Sequence, residues 1–215
     1  MISTRKLSSL PNIEELRQLM QSLAMLDAIL EEKSEYRYYS YNAQWSKNSE
    51  VAFMRDGSGD EYFAMFMPNG AIIKGFAHES IMSPYRKNPP SVWPNVLDHV
   101  PNEFSEFIKE PAFSTIDTTF CIWRMVQKSS WQCGKIEFPN GKDPDGSEEL
   151  LAILDGKPET YQAWSEGYYE HPVNLDAIKQ IYTHKPLTNS LITELNRKAS
   201  LHHLNEEAKT IGYNK

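Results

Sequence analysis

The chain has 215 residues, of which 40% are hydrophobic, 12% aromatic and 24% charged. This is globular composition with enough apolar material for a sizeable core, and it excludes collagen-like, repetitive or wholly disordered chains. The net charge of -7, with 22 lysines and arginines scattered along the sequence, excludes the clustered basic surface that duplex nucleic acid requires. No run approaches the roughly 18 apolar residues of a membrane span, and the first residues lack the apolar stretch of a secretory signal, so a cytoplasmic protein is expected. Two cysteines, Cys121 and Cys133, are too few for a secreted disulfide scaffold and are not spaced as a metal knuckle; both are expected reduced and buried.

Residues 12–31 read as a helix, because Ile13, Leu16, Leu19, Leu23, Leu26 and Leu30 recur at three- and four-residue steps. Asn12 followed by Glu15 has the form of a capping box. Residues 36–77 are rich in aromatic and β-branched side chains, and four strands are expected at 36–44, 51–55, 61–67 and 71–77. Asp56-Gly-Ser-Gly and Pro68-Asn-Gly supply the turns between the later ones, which makes an antiparallel meander the economical topology.

The region 79–100 carries prolines at 84, 89, 90 and 94 and reads as a long loop. Loops of that length are often functional, so this one is a candidate binding surface. A short helix with Phe104, Phe107 and Ile108 on one side should come next, stopped by Pro111. Residues 118–126 and 131–138 then form a second hairpin turned through Lys128-Ser129-Ser130. Two registers for it differ in consequence. A turn centred at Gln127 places Cys121 opposite Cys133, whereas one between Lys128 and Ser129 pairs Cys121 with Ile136 and Cys133 with Arg124. The polar Lys-Ser-Ser stretch favours the second.

Beyond residue 139 the texture is helical. Ser147 is placed to cap a helix carrying Leu150, Leu151, Ile153 and Leu154, with Glu148 and Glu149 in its first turn. Gly156 closes it, Pro158 opens another with Tyr161, Trp164, Tyr168 and Tyr169, and shorter helices are expected at 175–182, 188–195 and 201–211. Strand and helix do not alternate, which argues against a doubly wound parallel sheet. The expected fold is a single α+β domain over residues 1–215. About six antiparallel strands, within 36–138, are packed by the N-terminal helix and a C-terminal group of helices at 147–211.

Four stretches together resemble an uncharacterised family of soluble bacterial proteins. They are Met54-Arg-Asp-Gly-Ser-Gly-Asp-Glu-Tyr-Phe, Gly70-Ala-Ile-Ile-Lys-Gly-Phe-Ala-His-Glu-Ser, Phe120-Cys-Ile-Trp-Arg and Ser130-Trp-Gln-Cys-Gly. The resemblance covers most of the chain, implies a bacterial cytoplasmic source and brings no functional residue with it. In size, charge and missing catalytic motifs the chain is also similar to small acidic immunity proteins that neutralise toxins.

Asp56-Gly-Ser-Gly-Asp60-Glu61 gathers three carboxylates, but a calcium loop would need glycine where Glu61 stands and a bidentate glutamate where Met67 stands. It reads as a polar hairpin turn. His78-Glu79 opens like a zinc-protease motif, yet Met82 occupies the second histidine position. Cys133 has no histidine placed beside it, and Ser58 lies in Gly-Ser-Gly instead of a nucleophile elbow. His202 and His203 are adjacent, so on one helix they diverge by about 100° and suit one ion poorly. The aromatic stretch from Tyr36 to Trp45 reads as a half-buried strand and not as a base-stacking platform, given the sparse positive charge.

No catalytic constellation emerges, and no cofactor or metal is expected. The sequence therefore points to a non-enzymatic binding or inhibitory protein, such as an immunity protein, that meets a basic protein partner through acidic loops. Asp56, Asp60 and Glu61 are the first such cluster. The alternative is a small-molecule enzyme or sensor with a pocket at the strand end around His78, Glu79 and Tyr85, with Trp93 in the adjoining loop.

Overall fold

The computed structural model describes residues 1–214. The first helix, α1 (Ile13–Leu30), begins where its cap chemistry dictates. Asn12 Oδ1 accepts the N–H groups of Glu14 and Glu15 at 3.0 Å each, and Glu15 Oε2 accepts the N–H of Asn12 at 3.2 Å. This reciprocal pair of side chains satisfies backbone donors that have no partner within the helix.

Six strands form an antiparallel meander, each hydrogen-bonded to its neighbours in sequence: β1 (Tyr39–Ser46), β2 (Ser49–Arg55), β3 (Glu61–Met67), β4 (Gly70–Phe76), β5 (Phe120–Met125) and β6 (Gln132–Cys133). The first strand starts at Tyr39 and not at Tyr36, where its aromatic run begins. Residues 34–36 turn instead, and the Asp27 carboxylate of α1 takes the N–H groups of Tyr38 and Tyr39, fixing the point of entry into the sheet.

Strand parity sorts the sheet's side chains into two cores. Ala52, Met54, Tyr62, Ala64, Phe66, Ala71, Ile73, Phe120 and Ile122 face one side, where they meet α1 and the C-terminal helices. Val51, Phe63, Met65, Ile72, Cys121 and Trp123 face the other. Every residue of β4 is buried, which is why the central strands read as continuous apolar runs instead of alternating ones.

The second face is closed by the proline-rich region and the turns and short helix beyond it. Met82, Val96, Phe104, Phe107 and Phe113 are buried against the sheet, with Val92, Trp93 and Leu97 partly so. Within this cover lies α2 (Ser105–Lys109), carrying Phe107 inward. The long loop is thus the lid of a second hydrophobic core. Lys74 projects into the same face and is 2% exposed; its ammonium donates to the carbonyls of Ser114 and Asp117. Burial pushes its pKa down to about 8.

The second hairpin departs from expectation in length and register. Only Gln132 and Cys133 join the ladder, with Cys133 opposite Ile122 and Gln132 opposite Trp123. The chain leaves the sheet at Gly134 because the 95–98 segment crosses there: a Cβ on Gly134 would lie 1.7 Å from the carbonyl oxygen of Asn95. The pairing is neither of the two expected registers. It sends Cys121 into the loop-covered core and Cys133 toward the helical one. Both thiols are free; Cys121 is buried, as expected, but Cys133 only half so.

After residue 139, α3 is short (Ser147–Leu150) and is followed by α4 (Pro158–Tyr169), α5 (Leu175–Tyr182), α6 (Asn189–Leu195) and α7 (Leu201–Ile211). Ser147 does not cap α3. Its side chain is drawn inward to Asp145 and Thr4 in a buried network that ties down the N-terminal residues. The N–H groups of Glu148 and Glu149 are taken by the carboxylate of Asp143 instead. Helices α1, α5 and α7 pack together, α1 touching both of the others, and α7 also lies against β1. That contact covers part of an edge strand that would otherwise offer unpaired backbone groups.

Candidate functional site

The acidic turn between β2 and β3 is built by one carboxylate. Asp56 Oδ1 accepts the N–H groups of Ser58, Gly59 and Asp60 at 2.7 to 3.0 Å, while Gly57 and Gly59 supply the positive φ angles of +75° and +116°. The turn carries Asp60 to the end of β4. There its Oδ1 accepts the backbone N–H of His78 at 2.8 Å and lies 2.7 Å from His78 Nδ1. The hydrogen bond to Asp60 raises the pKa of His78, and Glu79, 3.3 Å from Nε2, adds to the shift. With a carboxylate at each nitrogen the ring is an anchor between two strand ends. Glu61 pairs with Arg55 at 3.2 Å.

The rest of the strand-end constellation disperses. Glu79 approaches Arg86 at 3.7 Å. The Tyr85 hydroxyl donates to Asp117 Oδ1 at 2.6 Å, and the Trp93 indole donates to the Glu137 carbonyl at 3.1 Å with Lys87 over its ring. These side chains are tied to different segments, and five clefts on the surface are lined without any of His78, Glu79, Tyr85 or Trp93. Among the described residues no group of three or more His, Cys, Asp or Glu side chains is arranged to hold a metal ion. His203 leans toward Glu207 at 3.6 Å, whereas His202 lines a groove of about 690 Å³ on the other flank of α7.

Asp56 and Asp60 do share a cleft, of about 240 Å³, with residues from the helical half of the chain. Tyr38, Tyr39 and Met54 form its sheet side, and Glu149, Leu150, Ile153, Thr160 and Trp164 its helical side. The exposed carboxylate of Glu149 makes no ion pair or hydrogen bond among the described residues, and no lysine or arginine lines the cleft. Its aromatic wall is continuous: the Trp164 ring lies 5.0 Å from Tyr38, 4.9 Å from Tyr39 and 5.5 Å from Tyr168, centroid to centroid. Carboxylates beside aromatic faces form an environment for an ammonium or guanidinium group, which gains from both.

Behind the aromatic wall sits Asp27, fully buried on α1. Its Oδ2 accepts the N–H groups of Tyr38 and Tyr39, both at 2.9 Å, and its Oδ1 accepts the Tyr161 hydroxyl at 2.7 Å. Burial pushes its pKa up to about 7 against those hydrogen bonds, which pull it down. In the sequence this residue is hidden by the helical period of the leucines around it. The available signal was a lone acid inside Leu23-Ala-Met-Leu-Asp-Ala-Ile-Leu, since an aspartate on a buried stripe requires partners.

No protein-family model, curated protein or solved structure matched the chain when it was compared with each. No helix among the described residues is long and apolar enough to cross a membrane.

Proposed function

We propose that this protein is a non-enzymatic binding protein that seats a basic side chain of a protein partner in the cleft between the acidic turn and α4, in the manner of an immunity protein meeting a cationic toxin. The observation that carries the reading is the lining of that cleft: Asp56, Asp60 and Glu149 with Tyr38, Tyr39 and Trp164, and no basic residue. The net charge of -7 would speed association with such a partner. The proposed setting is the bacterial cytoplasm, the source that the sequence resemblance implies.

The test is genetic and then calorimetric. The product of the reading frame beside this gene should arrest growth when expressed alone and be tolerated when co-expressed with this chain. Purified, the two should bind, and Glu149→Gln together with Trp164→Phe should weaken binding at least tenfold while raised salt slows association. Tight binding that neither variant nor salt alters would remove the cleft from the interface, and a neighbouring product that neither harms cells nor binds would remove the immunity reading.

A further inference from the structure

Helix α4 sets three oxidisable rings in a line. Tyr161, Trp164 and Tyr168 follow one another at steps of three and four residues, along one side of the helix. The Trp164 ring lies 5.4 Å from Tyr161 on one side and, nearly parallel, 5.5 Å from Tyr168 on the other, centroid to centroid. The line runs from the core to the surface, since Tyr161 is fully buried and Tyr168 is 40% exposed. At the inner end the Tyr161 hydroxyl donates to Asp27 Oδ1 at 2.7 Å. We propose that α4 carries a one-electron relay: an oxidising radical in solution takes an electron from Tyr168, the electron hole passes through Trp164, and it comes to rest on Tyr161 as the hydroxyl proton crosses to Asp27.

The step balances with one electron leaving the protein. The O–H bond of Tyr161 breaks and an O–H bond forms on Asp27; one electron passes from Tyr161 through Trp164 and Tyr168 to the radical in solution, of the peroxyl class, which is reduced to its anion. A neutral tyrosyl radical is left beside a neutral acid. The outer rings have no such acceptor, because the Tyr168 hydroxyl donates at 3.0 Å to the Tyr36 carbonyl, which takes up no proton. Asp27 is built to receive one. Its oxygens accept the N–H groups of Tyr38 and Tyr39 as well as the Tyr161 hydroxyl, bonds that hold it as a carboxylate, and the 2.7 Å contact is within reach of direct proton transfer. Burial and the facing carboxylate keep the Tyr161 hydroxyl from ionising alone, so its proton leaves only with the electron. Tyr41 and Tyr85 also donate to carboxylates, those of Glu50 and Asp117. The rings against them are Phe66 and Phe76, which carry no hole under oxidants that take an electron from tyrosine. At Tyr161 the proton acceptor and the line of tryptophan and tyrosine rings meet.

The relay needs no partner and is tested on the full chain alone, so it can fail while the cleft still binds, and conversely. At about pH 8.5, where Asp27 is ionised, a flash of light on ruthenium tris(bipyridine) with a cobalt(III) quencher supplies the one-electron oxidant. Electron paramagnetic resonance should then show a tyrosyl radical that outlives the radical of free tyrosine about a hundredfold. Tyr161→Phe should shorten its lifetime about tenfold or more, and so should Asp27→Asn, which keeps a hydrogen-bonding oxygen but takes up no proton. Trp164→Phe interrupts the line and should cut the yield of the long-lived radical about tenfold while short-lived oxidation of Tyr168 continues; it serves also if a buried variant does not fold. A long-lived radical that persists in Tyr161→Phe or Asp27→Asn, an unchanged yield in Trp164→Phe, or no long-lived radical in the wild-type protein would overturn the proposal.

Discussion

The helical face and the loop face of this sheet both bury large side chains, but by different means. On the helical face, α1 inserts Leu16, Leu19, Leu23 and Leu26 from one regular helix whose backbone groups satisfy one another. On the loop face, Met82, Val96, Phe104, Phe107 and Phe113 come from turns and a five-residue helix. Their backbone groups are satisfied one at a time, as when Lys74 bonds the carbonyls of Ser114 and Asp117. These side chains are buried on both faces alike, so a core does not need regular secondary structure on each side. It needs apolar area removed from water and hydrogen-bond partners for most of the polar groups buried with it.

The largest expected effect probes whether the irregular cover is a true core. Phe107→Ala should lower the unfolding free energy by about 4 kcal/mol and Leu23→Ala, on the opposite face, by about 3 kcal/mol, both in urea titrations. A loss below about 1 kcal/mol for Phe107→Ala would mean that the loop face is only draped over the sheet.

Next comes the polar joint on the helical face. Asp27→Ala strands two N–H groups and a hydroxyl and should cost about 3 kcal/mol, whereas Asp27→Asn should cost much less. The pH dependence has a definite sign. Because the folded pKa of Asp27 lies near 7, above the ordinary carboxylate range, the folded state holds a proton that the unfolded chain has released. Its contribution to stability is complete below about pH 4 and is lost as pH rises through 7, on the order of 4 kcal/mol in all. His78 also has a raised pKa and slopes the same way, so the measurement is the difference between wild-type protein and Asp27→Asn, which should lack the Asp27 share.

A smaller effect sharpens the boundary between the two covers. Gly134→Ala sets a Cβ against the Asn95 carbonyl and should destabilise by about 2 kcal/mol as the 95–98 segment is pushed off the sheet edge. Hydrogen exchange should then quicken in that segment and stay unchanged in α1. The smallest is local: Asn12→Ala removes the cap of α1 and should cost about 1 kcal/mol, leaving the loop face untouched.

Local chemistry in the sequence determined much of this protein. Leucine spacing and the Asn12–Glu15 box placed α1; glycine turns placed the meander, with β3 matching residue for residue; Pro158 placed the start of α4. It also identified Asp56, Asp60 and His78 as neighbours of turns and strand ends, and these three do meet.

Tertiary structure decided the remainder. The proline-rich segment carries no period because its side chains are positioned by turns, so nothing local announces that it roofs the sheet. The hairpin register was set by the crossing of residues 95–98 at Gly134, a contact between segments distant in sequence whose geometry no turn motif encodes. Glu149 and Trp164 join Asp56 and Asp60 in one cleft, and Asp27 meets Tyr161 across 134 positions of sequence, only because the helices fold back over the sheet. Patterns of adjacent residues specify elements, but the partner of a buried charge or a cleft wall is specified by packing, which brings together residues that share no local pattern.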